Sequence, residues 1–525
     1  MCPQFDVYKG LHLGDEDCLH LSVYVPKNAD TGFNDGKAFP PTSKLPVMFW
    51  IFGGAFVLGD EQEFGFYNGE ALASSRDVII VAANYRVGAF GFLAIDALEE
   101  EDKALGSGQG TYGNYGIQDQ SMALKWVKDN ISAFGGDPED VTIFGQSAGG
   151  MSVCTHYARK EQSAGLFKAA IMESGTCDSP EFFLSGEDAK SFGDLYTTLI
   201  GCDRKAVGTA AEQLACLRGL RTGEVMYGML KAWETFRHPF LAAGGNGNET
   251  RTATATAAIL DKPEYMLSMA ATMNYMPPLA PLMPFGPVID GTSLGLPKMP
   301  LDSIKAGEAM QVPFLLGSTL NEGSLFVPAI PAFLPGLSLP LTEDMVALLL
   351  HKILDPRIGV EAVNAAIPEL LYKYYPVENY KSYDDQVSHI LRDYVFLCSS
   401  RRAARASAKQ GNPTYLYQFS YLNDWVDFKV GGDYHTAEIY FVFGNDWPPV
   451  VHRFSSTDDQ MVDAMGRYWT TFASTGNPNY AGGVSWPTYE EDSDRHISLN
   501  VPSVEGQYLN QETCDYHDAL LGFTN

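Results

Sequence analysis

A serine flanked by glycines, in the run Gly145-Gln146-Ser147-Ala148-Gly149, is the segment whose residue types most directly suggest catalysis. The β-branched run Val141 to Phe144 precedes it, and a predicted helix from Met151 to Ala158 follows. A serine hydroxyl is a weak nucleophile, and it reacts where a sharp strand-to-helix turn exposes it to a base. This order predicts that Ser147 is a nucleophile, although the pentapeptide by itself also fits an ordinary glycine-rich turn.

Acyl transfer at a serine also needs backbone donors for the negative charge that develops on the carbonyl oxygen. The N–H of the residue after the nucleophile, Ala148, is one such donor. A second donor must come from a glycine-rich loop after an early strand, and the run VMFWIFGGAF, residues 47–56, contains such a loop. A Gly-Gly pair after a strand is more often a simple turn, so this prediction depends on the serine motif.

Short apolar strands alternate along the sequence with amphipathic helices, and these elements must position the residues named above. Apolar residues recur at helical spacing between Gln118 and Phe134, just ahead of the serine strand: Met122, Leu124, Trp126, Val127 and Ile131. The predicted strands are Leu21–Val25, Val47–Ile51, Val78–Ala82, Val141–Phe144, Ala169–Met172, Phe314–Gly317 and Tyr415–Ser420. This alternation predicts an α/β fold with a large, mostly parallel sheet and helices on its faces.

No Pro/Gly/Ser-rich linker of convincing length divides the chain, so we expect one domain over residues 1–525. The middle of the chain, roughly 180–350, is expected to form a helical and loop-rich cap over the carboxyl edge of the sheet. Residues 242–258 are of low complexity and predict a surface loop. Two uncharged runs, 265–289 and 324–342, each contain several prolines and are therefore expected to be apolar loops and not membrane spans.

The composition excludes some classes of function. The hydrophobic fraction is 45%, which is enough to bury a large core, and the formal net charge is −28. A field of that sign repels phosphate backbones and anionic membranes, so we expect no nucleic-acid partner and no stable membrane insertion. The sequence contains neither a metal-ligand cluster nor a phosphate-binding loop, and we expect no cofactor and no metal.

Longer segments of the chain resemble those of a known family. EDCLHLSVYVP, residues 16–26, and FGGDPEDVTIFGQSAGG, residues 134–150, resemble the two signature segments of the type-B carboxylesterase/lipase family. That family includes the cholinesterases and the fungal extracellular lipases. NYRVGAFGFL (84–93) and GNYGIQDQSMALKWVKDNI (113–131) are also similar to family segments, and QLACLRGL (213–220) is close to the fungal lipases. The likeness runs from about Cys2 to the C-terminus, and it implies the α/β-hydrolase fold.

The resemblance also implies the remaining site residues. FLLGSTLNEGSLF, residues 314–326, is similar to the segment that bears the family's acid, which places that role on Glu322. GGDYHTAEIYFVFG, residues 431–444, is similar to the histidine loop and points to His435; the residues alone leave the base open among the chain's 10 histidines. The family's oxyanion hole falls on Gly54, Ala55 and Ala148, with Ala55 at a position where many relatives have glycine.

The cysteines are assigned by the same resemblance. It implies disulfides between Cys2 and Cys18, between Cys202 and Cys216, and between Cys398 and Cys514, and it leaves Cys154 and Cys177 as free thiols. Three disulfides imply an oxidising compartment, whereas the start MCPQFDVYKG has no signal-peptide pattern. We expect a secreted protein whose N-terminal family segment is missing, the alternative being an intracellular one. Asn248 is a glycan acceptor in this interpretation.

These observations predict a serine carboxylic-ester hydrolase that acts through an acyl-enzyme on an apolar or aromatic ester, as a monomer or weak homo-oligomer. The alternatives are a secreted lipase acting on long-chain esters and a non-catalytic, cholinesterase-like adhesion or scaffold protein. Cholinesterase activity is disfavoured because Gln146 stands where cholinesterases have glutamate. Residues of the Met-, Pro- and Phe-rich loops either line an apolar pocket or belong to the core: Met266, Met269, Met273, Met276, Met283, Phe285, Phe326 and Phe333.

Overall fold

A nine-stranded sheet forms the centre of the protein in the computed structural model. The structure describes residues 1–6, 11–26, 33–34, 37–38, 44–241, 285–334, 337–422, 433–446 and 453–523. The strands of this part are β1 (Gln4–Asp6), β2 (Leu11–Leu13), β3 (Leu21–Tyr24), β4 (Phe33–Asn34), β5 (Lys37–Ala38), β6 (Leu45–Ile51), β7 (Ile79–Ala83), β8 (Gly136–Gln146), β9 (Ala169–Glu173), β10 (Leu184–Ser185), β11 (Val288–Ile289), β12 (Phe314–Thr319), β13 (Thr414–Phe419), β14 (His496–Leu499) and β15 (Val504–Gly506).

The order of strands across the sheet is β15-β14-β13-β12-β9-β8-β6-β7-β3. Its two outer pairs, β3 with β7 and β14 with β15, are antiparallel. All the other neighbours in it are parallel. The predicted large, mostly parallel sheet is therefore confirmed.

Helices surround the sheet. Those in the described residues are α1 (Glu70–Arg76), α2 (Gly88–Phe92), α3 (Asp96–Leu105), α4 (Tyr115–Asn130), α5 (Ala148–Ala158), α6 (Lys160–Ser163), α7 (Gly186–Leu199), α8 (Arg204–Val207), α9 (Ala210–Gly219), α10 (Thr222–Leu241), α11 (Pro300–Lys305), α12 (Ile330–Phe333), α13 (Glu343–Ile358), α14 (Val360–Glu369), α15 (Tyr383–Leu391), α16 (Cys398–Lys409), α17 (Ile439–Phe443), α18 (Ser456–Thr475) and α19 (Gln511–Leu521). Short 3₁₀ turns include Ile131–Phe134 and Glu322–Leu325.

The inner strands are buried along their whole length, which explains why they could be predicted. Every residue of β7, β9, β12 and β13 is buried. Parallel strands covered on both faces are continuous apolar runs, and all seven predicted strands are present. β8 is longer than predicted, because it begins at Gly136 and not at Val141.

The predicted helix before the serine strand is α4, and its apolar residues do not all face the core. Leu124, Val127 and Ile131 are fully buried, whereas Met122 is 67% exposed. Each helical residue turns the chain by about 100°, so Met122 lies some 200° around the axis from Leu124 and faces solvent.

The cysteine pairing differs from the prediction at one bond. The structure contains the three predicted pairs, Cys2–Cys18, Cys202–Cys216 and Cys398–Cys514. The prediction of free thiols at Cys154 and Cys177 was wrong, because these residues form a fourth disulfide with Cα atoms 5.7 Å apart. The cause is close packing of α5 on the turn after β9, where a Cβ on Gly150 would lie 3.1 Å from the Cα of Gly175.

Much of the predicted cap lies outside the described residues. Residues 242–258, Asn248 and the five methionines proposed for the pocket, Met266 to Met283, are in that part of the chain. The described residues between 180 and 334 form α7 to α12 and the short parallel pair β10–β11. Within the ranges that the structure covers, none of the helices is both long and apolar enough to span a bilayer.

Candidate active site

Ser147 occupies the turn between β8, which ends at Gln146, and α5, which begins at Ala148. Its φ of 58° and ψ of −124° are unusual for a residue with a side chain, and such strain persists only where the surroundings hold it. The backbone N–H of Ser147 donates to the carbonyl of Glu173 at 3.0 Å. A Cβ on Gly149 would lie 1.9 Å from the carbonyl oxygen of Ile51, so this turn packs directly against the end of β6 and requires glycine.

The loop that follows β6 lies beside the serine. A Cβ built on Gly53 would be 3.0 Å from the Cβ of Ser147. Gly54 has φ 113°, and a side chain there would meet the carbonyl oxygen of Leu58 at 2.2 Å. Ala55 follows in the left-handed region with φ 56°, which costs an alanine about 1–2 kcal/mol. The structure thus places the predicted Gly54–Ala55 donors next to the serine turn.

Ala148 is the first residue of α5, and it is fully buried. The first N–H groups of a helix have no partner within the helix, and they carry the positive end of its dipole. Ser147, Gly54 and Ala55 are each partly exposed. The site therefore combines an accessible hydroxyl with backbone donors on two sides.

Glu322 and His435 are in direct contact inside the protein. Glu322 is fully buried and His435 is 2% exposed, and a carboxylate oxygen of the first accepts a hydrogen bond from Nδ1 of the second. The other carboxylate oxygen of Glu322 accepts the N–H of Thr319 at 2.8 Å. The rings of Phe326 and Phe396 lie 5.1 Å and 4.8 Å from the imidazole, centroid to centroid.

The segments that carry the acid and the histidine are joined by backbone contacts. Asn321 forms an isolated parallel bridge with Tyr434, and the N–H of Asn321 donates to the carbonyl of Asp433 at 3.2 Å. The side chains of Asn321 and Asp433 are also hydrogen-bonded. These contacts fix the positions from which Glu322 and His435 meet.

The contact between His435 and the serine turn is made by Gln146. Its side-chain nitrogen lies 3.2 Å from Nε2 of His435, and its side chain is buried. Among the described residues, the hydroxyl of Ser147 has no hydrogen-bond partner, and none joins it to His435. Catalytic hydrogen bonds are often long without substrate and tighten in the complex.

Two further buried carboxyl groups near this site were not predicted. Burial raises the pKa of Glu173, the last residue of β9, to about 8. Burial, together with the charges of Glu322 and Glu173, raises the pKa of Glu438 well above the ordinary value. The sequence signal that was available for Glu438 is its position three residues after His435, since that spacing brings two side chains to one side of a turn.

The two pocket residues whose side chains the structure describes have different surroundings. Phe285 is 1% exposed and packs edge-on against Phe192 with centroids 5.0 Å apart, so it belongs to the core and not to a pocket. Phe326 is partly buried and contacts His435. Of the residues predicted to line a pocket whose side chains the structure describes, Phe326 is the one that lies at the site.

Comparison with known proteins agrees with this architecture. A model of the carboxylesterase family matches residues 1–517. The chain is 31% identical over 498 residues to a para-nitrobenzyl esterase of Bacillus subtilis, covering 94% of this chain and 81% of the relative. It is 30% identical over 519 residues to carboxylesterase 5A of Canis lupus familiaris, covering 96% and 74%.

Solved structures give the same result. A structure described as a thermophilic PNB esterase superposes with a TM-score of 0.70 at 27% identity, covering 98% of this chain and 87% of the other. A PNB esterase structure superposes with a TM-score of 0.69 at 27% identity, covering 99% and 87%. The fold is the α/β-hydrolase fold, and the chain belongs to the carboxylesterase family of serine carboxylic-ester hydrolases.

Proposed function

We propose that Ser147, His435 and Glu322 are the nucleophile, base and acid of this ester hydrolase, and that the N–H groups of Gly54, Ala55 and Ala148 bind the oxyanion. The observation that carries the proposal is the buried Glu322–His435 pair beside a strained serine turn. A carboxylate on Nδ1 fixes the tautomer in which Nε2 carries the lone pair, and it stabilises the imidazolium that forms when Nε2 takes a proton.

The reaction proceeds in two steps. Ser147 Oγ bonds to the ester carbonyl carbon while its proton passes to Nε2 of His435, and the carbonyl oxygen becomes an oxyanion held by the backbone N–H groups. The tetrahedral intermediate then breaks its bond to the alcohol oxygen, which takes the proton from His435 as it leaves. Water repeats both transfers on the acyl-enzyme, releasing the acid and the free serine.

The substrate class that we propose is a small apolar or aromatic ester. The aromatic rings of Phe326 and Phe396 flank the imidazole, and Phe326, which is partly exposed, gives the acyl or alcohol group an apolar wall. Gln146 adds no charge beside them. We further propose secretion, because four disulfides are typical of an oxidising compartment.

We further propose that residues 1–525 form a single domain. The protein is a monomer or weak homo-oligomer, and it binds no nucleic acid. The single domain is supported by the one large sheet, which draws strands from residue 21 to residue 506. The lack of a nucleic-acid partner is supported by the net charge of −28.

The test is hydrolysis of p-nitrophenyl acetate, butyrate, octanoate and palmitate, with and without a serine-directed organophosphonate, followed by mass spectrometry of the adduct. We expect a burst of nitrophenol, inhibition and a single adduct on Ser147, and the chain-length profile separates esterase from lipase. Ser147→Ala should lose nearly all turnover and retain the wild-type melting temperature. Ser152→Ala, one turn along the same helix, is the matched control and should remain active.

If well-folded protein neither hydrolyses these esters nor forms an adduct with the organophosphonate, the proposal is contradicted and the non-catalytic alternative is favoured. Turnover retained by Ser147→Ala would refute the assigned nucleophile.

A further inference from the structure

The side chain of Gln146 lies over the imidazole of His435. Its amide nitrogen is 3.2 Å from Nε2 and 3.5 Å from Nδ1, so it is nearly equidistant from the two ring nitrogens. An atom in the ring plane at those distances would overlap Cε1. The amide therefore covers a face of the ring, and the Nε2 lone pair, which lies in the ring plane, stays available to the serine.

Gln146 is the first of a row of residues that crosses four parallel strands in register. It is paired with Glu173 of β9, Glu173 with Gly317 of β12, and Gly317 with Tyr417 of β13. Residues paired across parallel strands point to the same face of a sheet. A Cβ on Gly317 would lie 2.4 Å from the ring of Tyr417, so the missing side chain leaves room for the phenol to lie across the row.

Two buried carboxyl groups, those of Glu173 and Glu438, lie around this row. Glu173 accepts a hydrogen bond from the indole N–H of Trp469 at 2.9 Å, and Glu438 accepts one from the hydroxyl of Ser174 at 3.1 Å. Both carboxyl groups are fully buried, and within the described residues neither forms an ion pair. Burial raises the pKa of Glu173 to about 8 and that of Glu438 well above its ordinary value, which favours the protonated form of both groups.

We propose that Gln146 is a positioning residue that sets the acid limit of ester hydrolysis: it covers the imidazole with a neutral amide, so that Glu322 is the one negative charge in contact with His435 among the described residues. This inference rests on the proposed roles of Ser147 and His435. A carboxylate at this position would form a second ion pair with the imidazolium and would favour it. The base would then be protonated, and activity lost, at a higher pH.

Other titratable and charged groups facing this region come from several elements. Glu322 lies on the 3₁₀ turn after β12, Glu438 follows His435 in the same segment, and Glu173 and Tyr417 lie on β9 and β13. The nearby cation, Arg392, donates to the carbonyl of Leu320 at 3.2 Å and forms an ion pair with Asp393. Arg392 is thus paired with Asp393, and the buried carboxyl group of Asp433, in the same segment as His435, accepts a hydrogen bond from the side chain of Asn321.

The experiment measures kcat/KM for p-nitrophenyl butyrate from pH 4 to 8 in the wild type, Gln146→Glu and Gln146→Met. We expect Gln146→Glu to raise the midpoint of the acid limb by about one pH unit, which is a roughly tenfold loss of kcat/KM well below both midpoints. Gln146→Met has a side chain of similar volume and, unlike Gln146→Glu, no charge. It should leave the midpoint of the acid limb within about 0.3 pH unit of the wild-type value. A midpoint unmoved by Gln146→Glu, or moved equally by Gln146→Met, would overturn the proposal.

A second variant tests the premise that Glu438 is neutral, and Gln146→Asp repeats the test of a carboxylate at position 146 if Gln146→Glu yields little folded protein. Glu438→Gln removes a carboxyl group and should leave the acid limb in place, whereas a fall of about one pH unit would show that Glu438 is charged and overturn the proposal. Organophosphonate labelling distinguishes failure of the Ser147 assignment from failure of the role proposed for Gln146. A wild type without an adduct on Ser147 would overturn the assigned nucleophile and this proposal together, and an adduct with an unmoved limb would overturn the role of Gln146 alone.

Discussion

Removing the Cys154–Cys177 disulfide should destabilise the protein by an amount that follows from the length of the loop it closes. The bond joins α5 to the turn after β9 across a sequence separation of 23 residues, and both cysteines are fully buried. Loop-closure entropy for that length is worth about 3.4 kcal/mol at 25 °C. Unfolding 525 residues as one unit carries an entropy of about 1.1 kcal/mol per degree, so the melting temperature should fall by about 3 °C.

The assay is differential scanning calorimetry of Cys154→Ala/Cys177→Ala at a fixed scan rate. Cys202→Ala/Cys216→Ala is a matched control, because it opens a loop with a separation of 14 residues and loses about 3.0 kcal/mol by the same relation. The two double variants should therefore melt at similar temperatures. If the first melts within 1 °C of the wild type while the control falls by about 3 °C, the reasoning is refuted. Alkylation of denatured, unreduced wild type should modify no cysteine, and two modified thiols would show that the bond is absent.

Three further predictions concern the site and its packing. Between pH 5 and 8, the free energy of unfolding of Glu173→Gln should rise relative to that of the wild type by about 1.4 kcal/mol for each pH unit. The reason is that the folded wild type, in which the pKa of Glu173 is near 8, keeps a proton that its unfolded chain has lost. Parallel curves of unfolding free energy against pH for the two proteins would contradict this. Glu322→Gln should lower kcat by about 10³- to 10⁴-fold on p-nitrophenyl butyrate with little change in melting temperature, and a loss below about tenfold would argue against its role. Gly149→Ala should lower the free energy of unfolding, measured with denaturant, by about 3 kcal/mol or more, because its Cβ would overlap the carbonyl oxygen of Ile51. Gly219→Ala is the control and should not lower it, because a Cβ at Gly219 meets no atom within 4 Å.

The strands of the sheet were predictable because burial on both faces turns each into an apolar run. β14 and β15 were not predicted, since they are short and β15, Val504–Gly506, is mostly exposed. An apolar run does not mark a strand of that kind. The exposure of Met122 could not be predicted for a related reason, because an apolar residue on a helix does not by itself show which face is covered.

Within the site, the residues that lie in contiguous motifs could be predicted and those brought together by strand register could not. Gln146, Glu173 and Tyr417 come from three strands far apart in sequence, and only the pairing of β8, β9, β12 and β13 puts them in one row. The Cys154–Cys177 bond was missed in the same way, since it depends on how closely α5 approaches the turn after β9.

The bridge between Asn321 and Tyr434 has a consequence for how the site moves. Because each of these residues directly adjoins one member of the Glu322–His435 pair, the acid and the histidine are carried on one backbone unit. Ser147 is attached to a different unit, the turn held by the carbonyl of Glu173. A small displacement of one unit against the other would change the distance from Ser147 to His435 and leave the contact between Glu322 and His435 unchanged.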